Sequence, residues 1–114
     1  MMRKATIVIS LLAMCVWAAS AAAAEGDPGQ QVYQRWCVHC HAPGRGNPGT
    51  QSLQVKYQGK IPAVLLDRTD ISPEFITFTV RHGAMSMPPF RKTEITDKEL
   101  AALSKWMASG GGKR

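Results

Sequence analysis

Cys37-Val38-His39-Cys40-His41 is the stretch on which the reading of this chain turns. A C-x-x-C-H run, with histidine directly after the second cysteine, reads as a c-type haem attachment site. Two thiols add across the two vinyl groups at one edge of a porphyrin. A helical path then carries the next side chain under the macrocycle, so the His41 imidazole reaches the iron as its proximal ligand. One covalent haem c would use up Cys37, Cys40 and His41 together. Zinc is the first competing reading, but it wants four ligands, and outside the motif the chain behind its export segment offers only His82. A redox-active disulfide would want a βαβ pattern around the cysteines, which is missing.

Working outward, the front of the 114-residue chain does not read as part of the fold. Arg3 and Lys4 supply a basic start, Ile7 to Trp17 an apolar core, and Ala22-Ala23-Ala24 a small-residue cleavage site. The expectation is a cleaved Sec-type export signal over residues 1–24, a cytochrome-sized domain over 25–109 and a flexible basic tail over 110–114. The alternative is a retained anchor, since Ala5 to Ala24 is just long enough to cross a bilayer. Cys15 follows Leu12-Ala13-Met14, a poor lipoprotein box because methionine stands where a small residue belongs. Cleavage removes Cys15 and leaves only the two motif cysteines, which suits a periplasmic protein with no membrane contact thereafter. It also removes Arg3 and Lys4, leaving 12 basic against 8 acidic side chains, net +4. That balance, without basic runs interleaved with aromatics, excludes a nucleic-acid partner. The remaining 90 residues are marginal on apolar burial alone, and a buried porphyrin would add to the core.

Asp27-Pro28 opens a helix, with Asp as cap and Pro at the first position. Val32, Tyr33 and Trp36 recur at helical spacing and lead into Cys37. Residues 42–49 are rich in glycine and proline and read as a loop. The carbonyl of Pro48 is the candidate acceptor for the second ring N–H of His41. Leu53, Val55 and Tyr57 alternate too briefly for a sheet, and residues 61–66 suggest a short helix with Pro62 in its first turn. Tyr57 and Arg68 are each either propionate donors or packing residues. Ser72-Pro73-Glu74 starts another helix, whose Phe75, Ile76, Phe78 and Val80 would bury it against the porphyrin and which ends at Gly83. His82 reads as a surface histidine.

Met85 and Met87 lie in a proline-stiffened loop, and a thioether is the soft sixth ligand that raises a haem potential. Pro88 cannot follow Met87 in a helix and holds its backbone extended, which favours Met87 over Met85 as the axial ligand. Thr96 to Glu99 is a capping box, after which Leu100, Leu103 and Met107 stack with Trp106 beside them.

With these residues placed, the chain resembles the class I c-type cytochromes over its whole exported region. The resemblance implies an all-α fold of three to five helices around one haem, axial ligation by His41 and Met87, and a helix crossing through Tyr33 and Trp106. Val80-Arg81-His82-Gly83 through Met87-Pro88-Pro89-Phe90 is also similar to the cytochrome subunit of p-cresol methylhydroxylase and related 4-alkylphenol or eugenol hydroxylases. That likeness implies a non-catalytic electron-transfer subunit. Its donor would be a flavoprotein hydroxylase or dehydrogenase subunit and its acceptor a small copper protein or cytochrome. The longer loop from Gly44 to Lys60 and the basic tail depart from that pattern. A free-standing shuttle is the alternative, and a small haem peroxidase or sensor a further one, which would need an open iron and a distal acid–base pair. Arg45, Arg91 and Lys92 are candidate rim charges for docking.

Overall fold

The computed structural model describes residues 26–111 and 113. Among the described residues five α-helices follow one another: α1 Pro28–Trp36, α2 Val38–His41, α3 Pro48–Tyr57, α4 Pro73–His82 and α5 Asp97–Ala108, with a 3₁₀ turn at Leu65–Asp67 between α3 and α4. Among the described residues the only β-pairing is an isolated bridge between Ala84 and Met87. This is the all-α architecture expected of a small class I cytochrome. The expected export signal lies outside the described residues.

Three of the helices begin as their caps dictate. Asp27 accepts from Gly29 N at 2.8 Å, Ser72 accepts from Phe75 N at 3.2 Å, and Thr96 and Glu99 form a reciprocal capping box. Each cap satisfies a donor that the first turn leaves without an intrahelical partner.

The core is built where α1 and α4 pack on α5. Val32, Tyr33, Ile76, Val80, Leu103 and Trp106 are buried there, and Ile95 and Leu103 are fully shielded. The crossing of α1 over α5 passes through the Tyr33 and Trp106 rings, 5.5 Å apart and inclined at 51°. Gly29 makes that approach possible. A Cβ at Gly29 would stand 2.3 Å from the Ala102 carbonyl oxygen and 2.5 Å from Trp106 Cβ. Because one obstacle is backbone, Gly29→Ala must force the helices apart. Overpacking of this kind costs about 3 kcal/mol, and in a domain this small that lowers Tm by more than about 10 °C in a thermal melt.

Several segments differ from expectation. The stretch read as loop and brief alternation forms α3. Asn47-Pro48 starts it in the same manner as the other proline-led helices, although the Asn47 side chain turns back to donate to the Pro43 and Gly44 carbonyls at 3.2 Å each. Leu53 and Tyr57 are one face at i, i+4 and half-buried, while Val55 points outward. Residues 61–66 form no α-helix. Val64 is extended and only Leu65–Asp67 turn, because Pro62 biases Ile61 toward extended backbone and too few residues follow for a nucleus. In α4, Ile76 and Val80 are buried, whereas Phe75 and Phe78 lie on the opposite side, 50% and 62% exposed. The start of the expected flexible tail is held: Gly110 and Gly111 donate to the Met107 and Trp106 carbonyls, and Lys113 pairs with Asp67.

Candidate functional site

α1 delivers the motif. Cys37 caps its C-terminus, with its N–H donating to the Tyr33 carbonyl at 2.9 Å, and then begins the single turn of α2. The His41 N–H donates to the Cys37 carbonyl at 3.0 Å. The two thiols therefore stand one turn apart, with the imidazole directly after the second. Both cysteines are free, Cys37 half-buried and Cys40 exposed. Burial, and then the neighbouring Cys40, push the Cys37 thiol up to about 12. Burial also pushes the His41 pKa down, favouring the neutral imidazole that a metal requires.

Tyr33 ties the motif to the core. Its hydroxyl donates to the His41 carbonyl at 3.3 Å, and burial above all raises its pKa to about 12, so it remains a donor. On the other side the buried Thr50 hydroxyl donates to the Ala42 carbonyl at 2.9 Å, fastening α3 to the end of the motif. His41 Nδ1 is buried with no hydrogen-bond partner among the described residues. The bond expected from it to the Pro48 carbonyl is thus not formed, because Pro48 is not a loop residue but opens α3.

The methionine turn is equally well held. Ala84 and Met87 exchange backbone hydrogen bonds at 3.1 and 2.9 Å, Phe90 N donates to the Val80 carbonyl at 2.8 Å, and Arg81 donates to the Phe90 carbonyl at 3.1 Å. Gly83, at φ 72°, permits the closure; a Cβ there would meet the Met87 carbonyl oxygen at 2.5 Å. Met85 occupies the apex at φ 52° and is 93% exposed, whereas Met87 is half-buried and packs on the core. Trp36, beside Cys37, meets Phe90 edge-on at 5.7 Å. That contact joins the end of α1 to the methionine turn. Trp36 Nε1 is buried without a partner among the described residues, a feature the spacing alone does not reveal.

The donor set fits haem c. Two free thiols are spaced for two vinyl groups, a neutral imidazole follows them, and a thioether is held on a separate rigid turn joined to the motif. The remaining candidates have other employment. His82 Nδ1 donates to the Phe78 carbonyl at 2.8 Å and its ring stacks on Phe78 at 4.2 Å. Tyr57 and Arg68 do come together, with the guanidinium 5.3 Å from the ring centroid. Arg68, buried, spends Nε and Nη2 on the Asp70 carboxylate at 2.8 and 2.6 Å, a partner not anticipated. Of the rim charges, Arg91 pairs with Glu94 at 3.7 Å and Lys92 with Asp97 at 2.9 Å, while Arg45 makes no ion pair among the described residues.

The Arg68 hydrogen bonds hold the Asp70 carboxyl below its ordinary value. A depressed acid stabilises the fold above its unfolded pKa of about 3.9, and the contribution disappears as pH falls through the folded value. Asp70→Asn should therefore lower the urea midpoint at pH 7, and the gap from the unaltered protein should narrow as pH falls below the unfolded value of about 3.9. A gap independent of pH would count against the pairing.

A family model described as cytochrome c oxidase, cbb3-type, subunit III matches residues 24–107. The chain belongs to this family. It carries a class I c-type cytochrome domain, whose covalently bound haem c serves electron transfer rather than catalysis. No curated protein and no solved structure matches this cytochrome significantly.

Proposed function

We propose that this cytochrome carries single electrons outside the cytoplasmic membrane through one haem c bound to Cys37 and Cys40 and ligated by His41 and Met87. The observation that carries the ligand assignment is the Trp36–Phe90 contact, which sets the methionine turn beside the attachment motif while only Met87 of the two methionines packs inward. Bound haem supplies a ferric–ferrous couple. The chain supplies the thiols, an imidazole kept neutral and a half-buried thioether packed on the core.

The donor in this reading is a flavoprotein subunit that oxidises 4-alkylphenols, and the acceptor is a small copper protein or cytochrome. A flavin reduced by two electrons would pass them singly, so each substrate oxidised reduces the iron twice. The support is the sequence likeness from Val80 to Phe90. The matched family favours a second reading, in which the domain feeds a terminal oxidase. Mild purification of the exported protein separates the two. A co-eluting flavin-containing subunit that reduces the haem with a 4-alkylphenol is the expected result. Oxidase subunits in its place would reassign the partner, and a monomer reduced equally by unrelated donors would make the protein a free shuttle.

A further inference from the structure

Gly49 stands in the first turn of α3, with no left-handed backbone to explain a glycine there. What explains it is His41. A Cβ at Gly49 would lie 2.7 Å from His41 Cε1, 2.9 Å from Nδ1 and 2.8 Å from the Cys40 carbonyl oxygen. All three are far inside ordinary contact, about 3.5–4.0 Å between carbons. The carbonyl is backbone and cannot swing aside.

We propose that Gly49 is the positioning residue of the proximal ligand: its bare backbone is the wall that sets the plane and lateral place of the His41 imidazole. A ligating histidine is ordinarily oriented by a hydrogen bond from its second nitrogen. Here Nδ1 is buried with no such bond, so the ring is oriented by packing. The wall is stiff because Thr50, the next residue, is buried and bonded to the Ala42 carbonyl at 2.9 Å, and Asn47 braces the preceding loop. Tyr33 holds the other end of His41 through its carbonyl. A rigid wall on one side of an imidazole decides how squarely its free nitrogen meets an iron and how the ring lies over the porphyrin. Both affect the electronic balance between the oxidation states.

The inference rests on His41 being the iron ligand, and its test separates the two. In the matured ferric protein, the order of the haem methyl resonances in proton NMR reports the orientation of the axial ligands. Gly49→Ala should reorder them and shift the ferric–ferrous equilibrium against a fixed mediator about tenfold, equivalent to 59 mV for one electron. Gly29→Ala clashes as hard with backbone, at Ala102, and should lower Tm while moving both readouts less than Gly49→Ala does. Thr50→Val, nearly isosteric, loosens the wall without a clash and should move the methyl shifts in the same sense by less; it decides the matter if Gly49→Ala does not mature. Unchanged methyl order in Gly49→Ala, or in Thr50→Val where that alone is obtained, overturns the proposal, as does an equal change in Gly29→Ala. A low-spin spectrum persisting in His41→Ala is a different failure, of the ligand assignment itself.

Discussion

Replacing Cys37 and Cys40 together by serine should leave a polypeptide with no pigment that survives acid–acetone or a denaturing gel. Each thioether needs a thiol at its own place on one helical turn, and serine at the same positions cannot form one. The loss should extend to folding. The core made by α1, α4 and α5 includes only one face of each helix, and a chain of this size is marginal without a further apolar body to cover. A porphyrin tethered to the chain still adds to folding energy, because its apolar faces leave water and its iron gains its protein ligands only when the helices close around it. The double variant should therefore lose the cooperative thermal transition seen in the matured protein. Haem staining and circular dichroism on the same preparation check the two halves. A red band on a denaturing gel of the double-serine protein would contradict the attachment site, and an unchanged Tm in colourless protein would contradict the folding argument alone.

The parts of this fold visible beforehand are those governed by local chemistry. Asp27-Pro28, Ser72-Pro73 and the Thr96–Glu99 box each announce a helix because cap and first turn are contiguous in sequence. The attachment motif is legible for the same reason. α3 was hidden because its inward face is only Leu53 and Tyr57, and three alternating residues imitate a strand over so short a window. Gly29 and Gly49 were hidden more deeply. Neither has an unusual φ, and the atoms that demand the missing side chain come from another element: α5 for the first, α2 for the second. Charge misled in the same manner. Arg91 and Lys92 look like a free basic pair until Glu94 and Asp97 are seen beside them, and Arg68, open in sequence to a propionate or a packing role, has its fork taken by Asp70.

Met87→Ala should abolish the weak ferric band of a sulfur–iron bond, and Met85→Ala should keep it. The two residues differ in sequence by two positions and in structure by the side of a closed turn they occupy. The backbone pair between Ala84 and Met87 puts Met85 at the apex, in water, and returns Met87 toward the core. For Met85 to reach an iron, the turn would have to open, losing both of those bonds, the Phe90–Val80 bond and the Arg81 contact to the Phe90 carbonyl. Pro88 and Pro89 oppose any helical rearrangement that would bring it round. Loss of the thioether should lower the potential by on the order of 0.2 V, a fraction of the ≈0.8 V range that axial ligands span. Met85→Ala should leave the potential where it is. Its φ of 52° strains any residue but glycine, so Met85→Gly should raise Tm through about 1 kcal/mol of relieved strain. Optical spectra and redox titrations of the three variants decide between the methionines: loss of the band in Met85→Ala, with Met87→Ala unaffected, would mean that the turn opens when the iron is bound.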